Sequence, residues 1–196
     1  HNNVCFKYPK TNDYVLKSVS FKVNHGDFLG IVGPSGAGKS TIVSLMSKFY
    51  LPTEGQILVD GRSIEDIPSY DLRSNIAYVP QESLLFKSSI LDNCRIGRVD
   101  ASIDDVVDAL KLANAWEFVQ KLPDQLLTKI GTQGLTLSGG QRQRIGFARI
   151  LYMNKDILLL DEFTSALDID IKINILKHVS SIKKNKIIII STHDPK

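Results

Sequence analysis

The octapeptide Gly33 to Ser40, GPSGAGKS, leaves this chain few folds to choose from. Its fixed positions, Gly33 and then Gly38, Lys39 and Ser40, have the spacing of a loop that wraps phosphate. Before it, Phe28 to Val32 (FLGIV) is a short apolar run suited to a buried strand. After it, Thr41 to Tyr50 carries apolar residues at helical spacing. Strand, glycine loop and helix in that order predict an α/β fold. Glycines let the loop curl until successive backbone N–H groups converge on anionic oxygens, and the helix adds the positive end of its dipole. Pro34 has no N–H to contribute. Lys39 is placed to reach the β- and γ-phosphates of a nucleotide, and the Ser40 hydroxyl to ligate Mg²⁺. The candidate cradle is therefore Gly33, Pro34, Ser35, Gly36, Ala37, Gly38, Lys39 and Ser40, with Thr41 behind it. The plain alternative is an ordinary glycine-rich turn that opens a helix; the four fixed positions together with the strand-like run before them favour the phosphate loop.

Lys155 to Glu162 (KDILLLDE) supplies a second element. Ile157 to Leu160 is too short for most helices and shows no polar alternation, as expected of a central parallel strand buried on both faces. Open parallel sheets bind ligands at the C-terminal ends of their strands, which is where Asp161 and Glu162 fall. Asp161 is then the natural holder of Mg²⁺, and Glu162 is free to polarise an attacking water. An acidic pair after an apolar strand is by itself more often a solvated strand end. Behind a phosphate loop the balance reverses.

Between these two elements lies LSGGQRQR, Leu137 to Arg144. As bare sequence it is a helix start, with Ser138 as N-cap and Gly139 and Gly140 permitting a close approach. With its two neighbours it makes the chain resemble the nucleotide-binding domain of an ATP-binding cassette (ABC) transporter, most similar to the exporter type. That resemblance implies a P-loop NTPase core with a mixed central sheet, an N-terminal antiparallel β subdomain and an inserted α-helical subdomain. It also implies ATP and Mg²⁺ as cofactors. The phosphate loop becomes Walker A, the acidic strand Walker B, and LSGGQ the family signature. By the same resemblance Ser138, Gly139, Gly140 and Gln141 complete the ATP site of a second copy of the domain. Tyr8, in VCFKYP, matches the aromatic residue that stacks on adenine. Gln81, in YVPQES, matches the Q-loop glutamine that senses Mg²⁺ and the γ-phosphate. Ser165 to Asp168 match the D-loop, which crosses the dimer interface, and His193, in STHDP, the switch histidine. The implied catalytic set is Glu162, His193, Lys39 and Gln81, and the implied metal set is Ser40, Gln81 and Asp161. His193 follows Lys186 to Ile190 (KIIII), a further buried strand by its composition, so its imidazole too is expected at a strand's C-terminal end.

Other segments are read more coarsely. Val4 to Tyr8, Tyr14 to Val23 and Gln56 to Val59 cluster β-formers between turn signals at Asn24-His25-Gly26 and Asp60-Gly61, which predicts an antiparallel sheet. Ser83 to Gly134 lacks obvious strands. Ser102 to Gln120 reads as a helix with Ile103, Val106, Val107, Leu110 and Ala113 on one face. The organisation expected is a single ABC ATPase domain over 1–196. Residues 1–81 and 150–196 form the core and β subdomain, and 82–149 the helical part that bears the signature. Family members continue past the switch histidine, so further strands and helices are expected beyond Lys196.

Composition narrows the partners. A chain of 196 residues, 43% hydrophobic and 23% charged, can bury one substantial core. No apolar run approaches the length of a bilayer span, so any membrane contact must come through another polypeptide or another part of the same one. A formal charge of +3 is modest, and Lys183, Lys184 and Lys186 read as a solvated face, so no nucleic-acid partner is expected. Cys5 and Cys94 have no metal-ligand spacing. Leu72 to Gly97 is the most exporter-like stretch, including Leu85-Phe86 and Asp92-Asn93. Two departures stand out: TKIGTQG has Lys129 and Thr132 where exporters usually carry glutamates, and Asp194-Pro195 follows the switch histidine. The expected function is ATP binding and hydrolysis that powers export, in a head-to-tail dimer. The expected partners are a second nucleotide-binding domain and a transmembrane domain, at the cytoplasmic face of a membrane. Two other classes are weighed: a soluble ABC ATPase acting on nucleic acid or ribosomes, and a nucleotide-gated binding module with little hydrolysis.

Overall fold

The structure, a computed structural model, describes residues 2–96, 98, 100, 102–131, 136–182, 184 and 186–193. His1, Thr132, Gly134, Lys183, Asp194 and Pro195 therefore lie outside the described residues. In chain order the strands are β1 (Asn2–Phe6), β2 (Leu16–Val19), β3 (Phe28–Val32), β4 (Glu54–Gln56), β5 (Leu58–Val59), β6 (Arg62–Ser63), β7 (Ile76–Val79), β8 (Ile157–Asp161) and β9 (Ile187–Thr192). The helices are α1 (Lys39–Met46), α2 (Ser69–Ser74), α3 (Ile90–Arg95), α4 (Ile103–Leu112), α5 (Trp116–Val119), α6 (Gly139–Met153) and α7 (Ile169–Ser181). They fall into two compact units. One comprises His1–Ala77, Asp156–Asp161 and Lys184–Lys196, the other Tyr78–Lys155 and Glu162–Lys183.

The first unit is built on a sheet of strand order β3-β9-β8-β7, in which β3 and β8 both run parallel to β9. Unbroken apolar runs in β8 and β9 account for this: Leu158, Leu159, Leu160, Ile188 and Ile189 are all buried, as strands covered on both faces require. The run FLGIV behaves differently from its expected buried strand. It lies at the end of the sheet, and Phe28 and Val32 are 40% and 53% exposed. Helix α1 buries Val43 and Leu45 but stops at Met46, short of the expected Tyr50. Lys48 takes a left-handed conformation (φ 53°) and the Phe49 N–H bonds back to Ser44 O at 2.9 Å, a Schellman stop built without glycine.

A separate antiparallel sheet has the order β2-β1-β4. Its strands are shorter than the β-formers suggested. Ser18, at φ 52°, breaks the extended backbone of β2, and the run Gln56 to Val59 is divided at Ile57 between β4 and β5. The hairpin β5-β6 turns at Asp60-Gly61 with φ 49° and 79°, the positive pair that a tight two-residue hairpin needs.

In the second unit α3, α4 and α6 each begin with a capping box, made by Ser89 and Asp92, Ser102 and Asp105, and Ser138 and Gln141. Helix α6 packs against α3 and α4 and buries Ile145, Phe147, Ala148 and Ile150. Phe147 meets Phe163 with ring centroids 5.2 Å apart. Asn93, fully buried, bonds both the N–H and the carbonyl of Phe86, at 2.8 and 3.0 Å. It also accepts from Arg149 Nη2 at 3.1 Å. The pair Asp92-Asn93 thus has a local explanation, one residue capping α3 and the next tying down the loop before it. The helix expected from Ser102 to Gln120 is broken at Asn114, whose φ of 51° ends α4 before α5 begins. Val106, Leu110 and Ala113 lie on the buried face as expected, joined by Ala109, whereas Ile103 in the first turn is 54% exposed. Lys129 makes an isolated antiparallel bridge with Ser89.

Both cysteines are free thiols. Burial pushes Cys94 up from 9.0 to about 12, with Arg149 opposing more weakly. An unfolded chain ionises this thiol at its ordinary value, whereas the folded chain retains the proton. Its contribution to stability is therefore constant below about pH 9 and declines as pH rises toward 12, by up to about 1.4 kcal/mol per pH unit. Urea titrations across that window are expected to show this decline, and to show it removed in Cys94→Ala.

Candidate functional site

The phosphate loop is held from inside its own unit. Gly38, the N-cap of α1, has φ 86°, and a Cβ there would lie 2.7 Å from Leu16 Cδ2. Conformation and space both demand glycine. Lys39 is 5% exposed, and its ammonium donates to Gly33 O and Pro34 O, each at 3.0 Å. Pro34, unable to donate, thus serves the loop through its carbonyl. That carbonyl also accepts from Ala37 N at 3.2 Å.

Ser40 Oγ donates to Asp161 Oδ1 at 3.0 Å, and Asp161 is 3% exposed at the end of β8. The same oxygen accepts from Ser191 Oγ. Sequence reading passed over Ser191, although the parallel register sets it opposite Asp161. A hydroxyl meeting a single carboxylate is a donor set for Mg²⁺, which keeps waters and takes its other ligands from phosphates. It does not suit zinc, which wants three or four protein ligands. No group of three or more His, Cys, Asp or Glu side chains able to hold a metal ion exists among the described residues. Gly33 N bonds to Thr192 O at 3.4 Å, so the end of β9, with exposed His193 next in the chain, lies beside the start of the loop. Tyr8 OH shares a 2.9 Å hydrogen bond with Thr41 Oγ1. Its ring is edge-on to Phe6 at 5.0 Å and to Tyr50 at 5.3 Å, in the wall of an open groove.

The second unit carries the remaining groups. Glu162 has φ 44°, a left-handed backbone uncommon for a residue with a side chain. Its carbonyl accepts from Ser165 N at 3.0 Å, and its Oε2 from Gln81 Nε2 at 3.1 Å. The structure thus joins Gln81 and Glu162, which lie 81 residues apart in the chain. At the start of α6, Ser138 Oγ accepts from Gln141 N at 3.2 Å, and Gln141 Oε1 accepts from Ser138 N at 2.9 Å. Gly139 and Gly140 form the first turn. A Cβ on Gly140 would stand 2.7 Å from Ala166 O, so the segment Ser165 to Asp168 lies close on α6. Gln143, two residues past the signature and 5% exposed, bonds both that segment and Gln81.

Comparison with known proteins adds to these observations. The family model described as "ABC transporter" matches residues 16–165. The chain is 42% identical over 191 residues to the Alpha-hemolysin translocation ATP-binding protein HlyB of Escherichia coli O157:H7, covering 97% of the chain and 27% of that protein. It is 42% identical over 190 residues to the ATP-dependent lipid A-core flippase of Chromobacterium violaceum, covering 97% of the chain and 32% of the relative. Among solved structures, a bacterial Atm1-family ABC exporter with ATP bound superposes with a TM-score of 0.91 at 41% identity, over 98% of this chain and 34% of that one. The chain spans about a third of the length of these relatives. A family match over most of its length, on a phosphate loop and acidic strand joined by hydrogen bonds, leads to one assignment: the chain belongs to the ABC transporter family, as an ATP-binding domain of the exporter type.

Proposed function

We propose that this domain hydrolyses ATP in a head-to-tail dimer and that the energy drives export through a transmembrane domain of the same parent chain, at the cytoplasmic face of a membrane. The observation that carries the reading is the division of labour between two adjacent carboxylates. Asp161 is buried against the phosphate-loop serine, whereas Glu162 turns through a left-handed backbone to Gln81. The relatives are about three to four times as long as this chain and have names that describe translocation or flipping, which supports a membrane partner. No described helix is long and apolar enough to cross a membrane.

In this mechanism Gly33 to Thr41 cradle the phosphates, Lys39 neutralises the β- and γ-oxygens, and Tyr8 stacks on the adenine. Ser40 and Asp161 would hold Mg²⁺, and the family resemblance adds Gln81 to that set. The bound ion would supply positive charge to offset that of the phosphates. Glu162 orients a water and accepts its proton as the water oxygen bonds to the γ-phosphorus. The bond to the β–γ bridging oxygen breaks and leaves ADP and phosphate. His193 steadies the γ-phosphate, while Ser138, Gly139, Gly140 and Gln141 of a second copy close over it. The organisation that goes with this reading is one ATPase domain, its signature borne on the helical portion.

ATP hydrolysis measured against protein concentration tests the composite site. A rate rising faster than linearly is expected. A strictly linear rate from a species that sediments as a monomer would overturn the dimeric mechanism.

A further inference from the structure

We propose that Gln143 is a positioning residue that locks the Q-loop and the D-loop to the signature helix, and so sets the geometry in which Gln81 holds Glu162. Its amide makes three hydrogen bonds to two separate segments. Nε2 donates to Gln81 O at 3.0 Å and to Ser165 Oγ at 3.1 Å, and Oε1 accepts from Ala166 N at 3.2 Å. A primary amide is suited to this junction, because it presents two donors and an acceptor from one rigid plane. Gln143 is itself 5% exposed, so its amide is directed at these three partners rather than at solvent, and its loss removes all three bonds at once.

Local packing supports the junction. Gly140, one turn earlier on α6, has no Cβ to hold off Ala166 O, and this lets the D-loop lie within reach of Gln143. The D-loop is tied in turn to the backbone of Glu162, since Ser165 N bonds to Glu162 O at 3.0 Å. Gln81 closes the ring by donating its side chain to Glu162 Oε2 at 3.1 Å. Glu162 is thus approached from two sides, through its backbone by the D-loop and through its carboxylate by the Q-loop, and Gln143 bonds both. Fixing Glu162 against displacement matters because a shift of about 1 Å in a catalytic group can cost roughly a hundredfold in rate.

The inference rests on Glu162 being the residue that activates water, and the experiment separates the two claims. Gln143→Leu keeps the volume and removes all three bonds. Gln143→Glu keeps an acceptor for Ala166 N–H but sets a carboxylate against Gln81 O. In the intact protein both variants are expected to bind ATP within about twofold of the parent while kcat falls about 100-fold. Ser165→Ala, at an exposed position, is expected to lower kcat less, and to add little in the Gln143→Leu background, because the two residues share one network. Wild-type kcat in Gln143→Leu would overturn the proposal, as would an ATP affinity that falls in step with kcat, the mark of a merely structural role. Should Gln143→Leu and Gln143→Glu fail to fold, an unchanged kcat in Ser165→Ala would overturn it and a lowered kcat at unchanged affinity would support it. Glu162→Gln serves as control. If it retains turnover, the mechanism itself falls; if it is inactive while Gln143→Leu turns over normally, only the junction falls.

Discussion

Glu162→Gln is expected to bind ATP as tightly as the parent and to hydrolyse it about 10²- to 10⁴-fold more slowly, the range typical for removal of a general base. The substitution is nearly isosteric, and Glu162 is a partly exposed residue just past β8, so folding should be preserved. Its hydrogen bond with Gln81 survives in altered form, because an amide oxygen can still accept from Nε2. What is lost is the ability to take a proton from water. Lys39 keeps its bonds to Gly33 O and Pro34 O, and Ser40 its bond to Asp161, so these binding groups stay in place. Single-turnover hydrolysis beside equilibrium ATP binding checks this. Turnover near the parental rate would remove Glu162 from the mechanism.

Lys39→Ala is expected to fail one step earlier, at binding. The buried ammonium is already aimed into the loop by Gly33 O and Pro34 O, so little ordering is needed when phosphates arrive. Its loss removes charge-assisted bonds worth about 3 kcal/mol, roughly a hundredfold in affinity. Alanine suits the first turn of α1, so the nucleotide-free fold should change little. Thermal unfolding distinguishes the two variants. ATP should raise the Tm of the parent and of Glu162→Gln, because a ligand bound to the native state stabilises it, while Lys39→Ala should show little shift at the same ATP concentration. An undiminished shift in Lys39→Ala would show that the lysine is dispensable for binding.

How far the sequence could be read depended on whether a residue acts on its neighbours or across the fold. The phosphate loop, the acidic end of β8 and the Ser138 cap are local patterns, and each appears with its expected geometry. The hairpin at Asp60-Gly61 was legible for the same reason. Where helices stop was harder. Lys48 and Asn114 end α1 and α4 in left-handed conformations. Asn114 carried a usable signal, since asparagine tolerates that region, whereas lysine at position 48 carried none. The exposure of Phe28 and Val32 depends on which strand forms the end of the sheet, and FLGIV alone cannot encode that. Gln143 was hidden in plain view, one polar residue in a polar run. Only the fold brings together its partners, which lie 62, 22 and 23 residues away.

The parallel ladder between β3 and β9 also bears on how the molecule is made. Phe28 is registered with Ile188 and Val32 with Thr192, so the strand leading into the phosphate loop is paired by a segment about 160 residues further along the chain. The helices of the second unit, begun by capping groups three residues apart, can start to form as soon as each stretch leaves the ribosome. A ladder between strands about 160 residues apart must await a large loop closure. During translation β3 therefore emerges long before its partner β9, and until β9 follows it presents an open hydrogen-bonding edge.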